Sequence, residues 1–335
     1  MFLKLLLVIF TFVELNCENF FDTENNPLKN DDEYTETSLL HWNKRRYYEK
    51  LHNISREILS CAEHPNEEGE GHAPDMVALC EVENDSVMVG LTKRSMLWSY
   101  HYDYLITHSP DERGINTALM YNPDAFKLLE SNNIRVELPD KKPTRDILYA
   151  KGLIINFDTL HVFVVHSPSR RGGEKATRRN RMEVAKRLSA SIDSINNALN
   201  RYKFQPHQNH IIIAGDFNDY SGDQALRLIE QSGLTEISKN AIGIYPENEC
   251  KGTYYFNEKW NSLDHIFTSN TMLPMLIDCG INNHPKLLEP NKDGILIPKR
   301  NYRGPKYNHG FSDHLPLVAR FNININTAYL DDKYQ

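Results

Sequence analysis

Acidic, amide and imidazole side chains recur at the points where short apolar stretches of this sequence end or begin. The residues in question are Asn16, Glu18, Glu81, His166, Asp216, Asn218, Asp264, Asp313 and His314. Carboxylate and amide oxygens are the ligands that Mg²⁺ and Mn²⁺ prefer, and the set contains no thiolate of the kind that binds structural zinc. A divalent cation beside acids and histidines is a typical arrangement for the attack of water on a phosphate ester. The residue types therefore indicate metal-dependent phosphoester hydrolysis.

The apolar stretches beside these residues predict short β-strands, whose ends are rigid enough to hold a reactive group in place. The predicted strands cover residues 5–13, 76–79, 117–121, 153–157, 162–165, 211–214, 265–268 and 315–321. The fourth and fifth are close enough to form a hairpin through Asp158 and Thr159. Several strands are too near one another in sequence for crossover helices, so the sheets must be mixed or largely antiparallel.

Apolar residues at helical spacing predict two long helices, over residues 40–58 and 178–199. A shorter helix is expected to follow Ser221, as its N-cap, and to end at Gly233. Helices outside two stacked sheets would cover strands that are apolar on both faces. We therefore expect an α/β fold, a four-layer αββα sandwich with two mixed, largely antiparallel β-sheets flanked by helices.

The length and charge of the chain limit the classes of protein that it can belong to. No repeat or low-complexity linker divides the 335 residues, so we expect a single catalytic domain over residues 1–335, with a core of about residues 8–323. The net charge of −7 excludes a protein that coats nucleic acid over its whole surface. It is compatible with a nuclease whose metal ion and local basic loops bind the phosphates. We expect a monomer without an obligatory protein partner.

The five cysteines lie far apart in the sequence, their number is odd, and no C-x-x-C pair occurs. This spacing predicts neither a dense disulfide framework nor a cysteine zinc site. We expect the cysteines to act as small buried hydrophobic residues.

The apolar stretch at residues 5–13 could belong to a signal peptide or to a buried strand. It is too short for a membrane-spanning helix, which needs roughly 20 residues. A signal peptide requires small residues at its cleavage point, and the first alanine of this chain is Ala62. We interpret the stretch as a buried strand, which favours a cytoplasmic location; export through an uncleaved or truncated signal is the alternative.

Four blocks of the sequence resemble the signature motifs of the endonuclease/exonuclease/phosphatase superfamily. They are Asp75-Met76-Val77-Ala78-Leu79-Cys80-Glu81, Gly215-Asp216-Phe217-Asn218, Leu263-Asp264-His265 and Ser312-Asp313-His314. The blocks occur in the order of the family and, with Asn16, span nearly the whole chain. The resemblance implies a metal-dependent phosphoesterase similar to deoxyribonucleases and abasic-site endonucleases, with Mg²⁺ or Mn²⁺ as its cofactor.

The resemblance also implies a role for each residue of the site. The implied metal ligands are Glu81, Asn16 and Asp313, with Glu18 as an additional acid. The implied catalytic residues are Asp216, which positions or activates water; Asn218, which binds the scissile phosphate; His314, which faces the phosphate; and Asp264, which orients His314. The run His166-Ser167-Pro168 is similar to the histidine segment of the deoxyribonuclease and phosphatase branches, so His166 could protonate the leaving oxygen or donate to the phosphate.

Basic and aromatic residues near these blocks are candidates for substrate contacts. Because arginine binds phosphate oxygens in a bidentate manner, we expect Arg170 or Arg171 to bind a substrate phosphate. The basic segment at residues 299–310 could form a second positively charged wall. For the aromatic cluster that precedes Asp264 and includes Trp260, packing is the first interpretation and stacking on a nucleobase is the alternative.

These observations predict a phosphoric ester hydrolase of the EC 3.1 class, and a phosphodiesterase acting on nucleic acid is our first choice. One alternative is a phosphomonoesterase of inositol or sugar phosphates. Another is a sphingomyelinase-like lipid phosphodiesterase, which the lack of a long amphipathic insertion disfavours. A binding protein that kept the fold and lost catalysis is the alternative from another class, and the complete set of motif residues argues against it.

Overall fold

The computed structural model of the protein describes residues 5–65, 72–199 and 208–326, and most of its strands belong to two large β-sheets. In chain order, the strands are β1 (Leu5–Phe20), β2 (Met76–Val82), β3 (Asp103–Ile106), β4 (Asn116–Tyr121), β5 (Phe126–Ile134), β6 (Ile147–Ile154), β7 (Thr159–His166), β8 (Asn209–Asp216), β9 (Leu234–Glu236), β10 (Tyr254–Phe256), β11 (Lys259–Asn261), β12 (Asp264–Ser269), β13 (Leu276–Ile281), β14 (Leu288–Pro290), β15 (Leu296–Pro298), β16 (Tyr302–Arg303), β17 (Lys306–Tyr307) and β18 (Leu317–Asn326).

Each large sheet has six strands and one parallel pair. The first sheet has the order β13-β18-β1-β2-β4-β3, and the second has the order β5-β6-β7-β8-β12-β9. In the first sheet β1 and β2 run parallel, in the second β7 and β8 run parallel, and the other neighbours are antiparallel. The three remaining strand pairs, β10–β11, β14–β15 and β16–β17, are short hairpins outside the sheets. The predicted sheet type, mixed and largely antiparallel, is confirmed.

Helices cover the outer faces of both sheets. The α-helices are α1 (Lys44–Ser60), α2 (Asp85–Val89), α3 (Glu174–Leu199) and α4 (Gln224–Gln231). Shorter helical turns are the 3₁₀ segments Asp32–Tyr34, Met96–Tyr100, Leu273–Met275 and Pro285–Leu287 and the π segment Gly90–Arg94. Helices α1 and α2 pack on the first sheet and α3 and α4 on the second, while a third apolar cluster fills the space between the sheets. The four-layer αββα sandwich predicted from the sequence is therefore confirmed.

The N-terminal apolar stretch is a strand, as predicted, but it is buried only from Phe10 onward, since Leu7 and Ile9 are 58% and 48% exposed. The strand is also longer than its apolar residues suggest, because its backbone pairs with β18 as far as Glu14 and with β2 as far as Phe20. Its side chains alternate between the layers: Phe12 lies between the sheets, whereas Val13 packs under the helices.

Some predicted boundaries are wrong, and local hydrogen bonds explain why. α1 begins at Lys44 because the side chain of Asn43 caps it, accepting from the N–H of Arg46 at 3.1 Å. α4 begins at Gln224 and its N-cap is Asp223; Ser221 instead donates to Glu236 at 2.5 Å.

The predicted hairpin is present, but the bounds predicted for its first strand, residues 153–157, are wrong. β6 ends at Ile154, and residues 155–158 form the turn of the β6–β7 hairpin, where Phe157 has a φ of 67°. Asn156 closes this turn, since its amide donates to the carboxylate of Asp158 at 2.7 Å.

The cysteines agree with their predicted role as small, largely buried residues. All five cysteines are free thiols; four are buried, and Cys279 is half-buried. None of the helices in the described part of the chain combines the length and the apolar character that a membrane span requires.

Asp75 links the beginning of β2 to β1. The N–H of Thr11 donates to the Asp75 carboxylate at 2.8 Å, and the N–H of Asp75 donates to the Thr11 carbonyl at 2.9 Å. Burial raises the pKa of Asp75 to about 6, although the hydrogen bond from Thr11 opposes the change. The folded protein therefore binds a proton at this carboxyl more tightly than the unfolded chain does.

Replacing Asp75 by Asn should remove part of the pH dependence of stability. An acid whose pKa rises on folding costs stability once the pH exceeds its unfolded pKa, so the wild type should lose about 2–3 kcal/mol relative to Asp75→Asn between about pH 4 and pH 6.5. Urea unfolding at a series of pH values measures this difference, with Asp124→Asn, an exposed acid, as the control. Parallel pH profiles for the wild type and Asp75→Asn would contradict the prediction.

Candidate active site

Three adjacent strands of the second sheet end in a row of ionisable residues. His166 at the end of β7 pairs with Asp216 at the end of β8, and Asp216 pairs on its other side with Asp264 at the start of β12. Because β7 and β8 are parallel and β12 is antiparallel to them, all three side chains belong to one edge of the sheet. All three residues are buried.

His314, which precedes β18 of the first sheet, joins this row. Its Nδ1 lies 2.7 Å from Oδ2 of Asp264, and the ring of Tyr254 stacks on the imidazole at a centroid distance of 4.7 Å. The hydroxyl of Thr253 donates to the same oxygen of Asp264. One side-chain ligand atom from each of Asp216, Asp264 and His314 lies within 4.8 Å of the others.

The first sheet contributes Asn16 and Glu81. The amide nitrogen of Asn16 donates to Oδ2 of Asp216 at 3.1 Å and so connects the two sheets. Nε2 of His166 lies between two carboxylates, 3.6 Å from Oδ2 of Asp216 and 3.9 Å from Oε1 of Glu81. The structure therefore brings Glu81 to the site, where it lies on the His166 side.

Bulges in β1 and β2 direct the acids of the first sheet. The β1–β2 pairing shifts between Asn16 and Phe20, and the β2–β4 pairing shifts between residues 80 and 82. Glu18 and Glu81 lie within these irregularities and have positive φ values, 50° and 62°. A β-bulge re-aims a side chain, and left-handed non-glycine residues are uncommon outside special sites. The irregular backbone at these two strand ends thus sets the direction of the Glu18 and Glu81 side chains.

Asn218 also has a left-handed backbone, with a φ of 52°. Its N–H donates to Oδ1 of Asp216 at 2.9 Å, and its side-chain amide donates to the carbonyl of Ser167 at 3.2 Å. The Asn218 side chain therefore lies beside both Asp216 and the segment that follows His166.

Burial and mutual charge set the protonation of these groups. Burial, followed by the charge of Asp264, raises the pKa of Asp216 to about 7. Burial alone would lower the pKa of His314, but the charge of Asp264 and its hydrogen bond raise that pKa well above the usual value. Burial lowers the pKa of His166 well below its usual value, and the nearby Arg145 acts in the same direction. The site thus contains a protonated His314 and a neutral His166 at neutral pH.

The donor set fits a hard divalent cation. Oδ1 of Asp264 is buried and has no hydrogen-bond partner among the described residues. Oε1 of Glu81 has only longer ionic contacts, at 3.6 Å to Arg113 and 3.9 Å to His166. Oxygen donors that lack close partners in a crowded acidic site are those that Mg²⁺ or Mn²⁺ would use.

The other two acids with an implied metal role have a different partner. Arg300 donates to the carboxylates of both Glu18, at 3.3 Å, and Asp313, at 3.0 Å. The remaining oxygen of Glu18 accepts the N–H of Asn301 at 2.6 Å. The assignment of Glu18 and Asp313 as metal ligands therefore stays a prediction.

The two arginines predicted to bind phosphate differ in their surroundings. Arg170 pairs with Glu174 at 2.5 Å, and its guanidinium lies over the ring of Tyr220, 4.2 Å from the centroid. Arg171 is exposed to solvent. Phosphate binding by either arginine remains a prediction.

Arg145 is a part of the site that the sequence analysis missed. This buried arginine donates to the backbone carbonyls of His166, at 3.2 Å, and Ser167, at 2.6 Å, and it forms an ion pair with Asp111 at 2.9 Å. It holds the segment on which His166 lies. The sequence offers only a charged residue two positions before β6, which is too weak a signal to identify this role.

Glu14 was missed as well, although its position gave a signal, since it interrupts an apolar strand. It is fully buried, and neither of its carboxylate oxygens has a hydrogen-bond partner among the described residues. Burial, followed by the charges of Asp264 and Asp216, raises its pKa well above the usual value. The surroundings of Glu14 therefore favour the uncharged form of its carboxyl.

His265 follows Asp264 in β12, and neighbouring side chains of a strand point to opposite faces. Its ring contacts Glu236 at 2.8 Å and the carbonyl of Asp219 at 2.9 Å, so it does not belong to the row of Asp216 and Asp264.

The sequence matches the Endonuclease/Exonuclease/phosphatase family over residues 11–322. The chain belongs to this family. The nucleases and phosphatases of that description hydrolyse phosphate esters, so the predicted enzyme class, a phosphoester hydrolase, is confirmed. No curated protein matches the sequence significantly.

Solved structures of the endonuclease/exonuclease/phosphatase family share the fold at low sequence identity. A family protein from Bacteroides thetaiotaomicron has a TM-score of 0.57 and 16% identity, over 95% of this chain and 98% of its own. A mannosyl-6-phosphatase from the same organism has a TM-score of 0.56 and 16% identity, over 93% and 99%. D. rerio TDP2 in complex with a single-strand DNA product has a TM-score of 0.55 and 17% identity, over 94% and 99%.

Gly215 allows β8 to approach β7 next to Asp216. Its φ is 148°, and a Cβ at this position would lie 1.8 Å from the carbonyl oxygen of Val165. Gly215→Ala should therefore lower the free energy of unfolding by more than about 3 kcal/mol.

The control for this prediction is Gly222→Ala. Gly222 also has a positive φ, 84°, but nothing lies within 4 Å of an added Cβ, so a loss of only about 1 kcal/mol is expected. Urea unfolding measures both values. Equal losses would show that the close approach of the strands is not limiting.

Arg145→Lys should reduce kcat through His166. Lysine cannot make the three contacts of the guanidinium, and losing an indirect partner of this kind typically costs about 10–100-fold. Steady-state hydrolysis of bis-p-nitrophenyl phosphate measures kcat and KM, with urea unfolding as a check on folding. Arg135→Lys, at a half-exposed arginine 3.4 Å from Asp146, is the matched control. Equal kcat values in the two variants would exclude a positioning role.

Proposed function

We propose that this protein is a divalent-metal-dependent phosphodiesterase that cleaves nucleic acid. The observation that carries the proposal is the buried contact set in which His314 hydrogen-bonds Asp264 while Asp216 lies between Asp264 and His166. Buried acids and imidazoles that modify one another's pKa are typical of sites for general acid–base chemistry.

Each residue has a role that follows from its surroundings. Asp216, with a pKa near 7, orients the attacking water and accepts its proton. The imidazolium of His314, oriented by Asp264, donates a hydrogen bond to a phosphate oxygen. Neutral His166 and the amide of Asn218 donate to the phosphate from the other side.

The proposed resident cation is Mg²⁺ or Mn²⁺, held by Glu81 and by the amide oxygen of Asn16. When bound, it neutralises charge that builds up on the phosphate during the reaction. Both residues are placed by strand ends of the first sheet, opposite the row of His166, Asp216 and Asp264 on the second.

Aromatic residues beside His314 favour a nucleic acid over a small phosphate ester. Phe256 is 57% exposed, and Tyr254 lies between Phe256 and the His314 ring, with near-parallel ring planes. Exposed aromatic faces next to a phosphate site suit the stacking of bases. The structure of D. rerio TDP2 with a single-strand DNA product shows that a related fold binds such a ligand.

Trp260 does not belong to this exposed surface. It packs edge-on against Tyr255 and contacts the core between the sheets. Of the two interpretations of the aromatic cluster, packing therefore applies to Trp260.

Asp216→Asn and His314→Gln should each lower kcat by about 10³-fold or more, since each removes a proton acceptor or a charged donor from the transition state. Hydrolysis of single-stranded DNA, duplex DNA and RNA with Mg²⁺ or Mn²⁺ measures the effect. Asp124→Asn, an exposed acid in the turn between β4 and β5, is the control and should retain full activity. EDTA should abolish turnover, and added Mn²⁺ should restore it.

The same assay, extended to other esters, separates the alternatives. Faster turnover of sugar or inositol phosphates than of DNA or RNA would contradict the nuclease assignment and favour a phosphomonoesterase. Preferred turnover of sphingomyelin would favour a lipid phosphodiesterase. If no ester is hydrolysed and calorimetry detects no Mn²⁺ binding, the chain is a binding protein.

A further inference from the structure

Helix α1 carries polar side chains on the face that packs against the first sheet. Its apolar residues Leu51, Ile54 and Ile58 belong to the apolar cluster on that sheet. Lys50 and Asn53 lie on the same side of the helix, and their exposed fractions are only 0% and 2%. Because charged and amide side chains are costly to bury, their presence in an apolar interface needs a specific explanation.

Lys50 joins two parts of the chain that carry residues of the site. Its Nζ donates to the carbonyl of Glu18 in the β1 bulge at 2.8 Å and to the carbonyl of Phe311 at 3.4 Å. Phe311 lies in residues 309–314, which we call the His314 segment because it leads to that histidine. One buried ammonium group thus connects the His314 segment to the end of β1.

Asn53 holds the same segment one helical turn further along α1. Its side-chain amide donates to the carbonyl of Gly310 at 2.5 Å. Within the segment, the hydroxyl of Ser312 donates to the carbonyl of Asn16 at 2.5 Å and accepts the N–H of His314 at 3.1 Å. The backbone of His314 is therefore fixed to a segment that is itself fixed to α1 and to β1.

The partners of Lys50 do not favour a purely stabilising role. Its two hydrogen bonds among the described residues go to carbonyl oxygens and not to a carboxylate. Replacing a buried charge by an apolar side chain of similar size is often neutral or even stabilising. If stability were the only role of Lys50, a methionine at this position would serve as well.

We propose that Lys50 and Asn53 are positioning residues, which hold the His314 segment against the end of β1 and thereby direct the imidazole of His314 toward the phosphate. This inference rests on the proposed function, because it presumes that His314 acts in catalysis. A displacement of about 1 Å in a group that faces the reacting atoms can cost about 100-fold in rate. Helix α1 thus contributes to catalysis without contacting the substrate.

Lys50→Met separates positioning from stability. In the hydrolysis of bis-p-nitrophenyl phosphate with Mn²⁺, kcat should fall by about 10–100-fold, while KM should change by less than about twofold because the substrate contacts remain. The urea midpoint should equal that of the wild type or rise, since a buried charge is removed. A rise in KM at unchanged kcat would place Lys50 in substrate binding and overturn the inference.

Ser60→Ala is the matched control. Ser60 is another buried polar residue of α1, but its hydroxyl accepts the side-chain amide of Asn282 at 2.8 Å and serves a different part of the chain. This variant should lower the urea midpoint and keep the wild-type kcat. An unchanged kcat in a folded Lys50→Met, or an equal loss of kcat in Ser60→Ala, would overturn the inference.

Asn53→Leu keeps the test informative if Lys50→Met does not fold. Leucine branches at the same carbon as asparagine but cannot donate to the carbonyl of Gly310, so kcat should fall by about tenfold at unchanged KM. A wild-type kcat in this variant would contradict the proposed role of α1.

NMR of the histidine imidazoles gives a readout that does not depend on activity. The signals of His314 are identified by their loss in His314→Gln, and they should shift in Lys50→Met but not in Ser60→Ala. Unshifted signals of His314 in Lys50→Met would overturn the inference. If the wild type hydrolyses no phosphate ester and the signals still shift as expected, the proposed function fails while the placement of His314 by α1 stands.

Discussion

Asn16 of the first sheet donates a hydrogen bond to Asp216 of the second, and both residues are buried between the sheets. A buried carboxylate is costly unless hydrogen bonds or opposite charges compensate it. Asp216 lies next to Asp264, which adds repulsion, and the charge of His314, which pairs with Asp264, offsets part of it. The amides and imidazoles that the strand ends place around Asp216 offset the cost of burying this one carboxylate. A bound cation would add to that compensation and would shift the acids further toward their ionised forms.

The two sheets position their ionisable side chains in different ways. In the second sheet, regular pairing is sufficient, because β7, β8 and β12 place His166, Asp216 and Asp264 side by side. In the first sheet, bulges and left-handed residues at Glu18 and Glu81 are needed to turn the acids toward the site. Such backbone conformations are tolerated where the surrounding structure fixes them, and here the pairing of β1 and β2 with their neighbours does so. The irregular part of the first sheet is therefore the part that carries Glu18 and Glu81.

Arginines lie around the site without belonging to the row of His166, Asp216 and Asp264. Arg145 holds the backbone behind His166, Arg181 is buried against Asp219, and Arg300 connects Glu18 with Asp313. Each is a fixed positive charge that balances an acid close to the site. A mildly acidic protein can in this way keep positive charge where a phosphate must bind. The fold is shared with structures at about 16% identity, so it is these local contacts that would distinguish one member of the family from another.

The sequence by itself determined the sandwich and the composition of the site. Apolar strands of short length, and acids, amides and histidines at their ends, are local signals, because side-chain alternation and strand rigidity follow from the chain itself. Boundaries such as those of β1, β6 and α1 could not be predicted, since pairing partners and the Asn43 cap decided where these elements end or begin. The roles of Glu14, Arg145 and Arg300 could not be predicted either. Each of these residues depends on a partner that lies at least about a strand's length away along the chain. Only the packing of the two sheets decided which acids lie beside one another and which share an arginine, since burial and distance set the strength of those interactions.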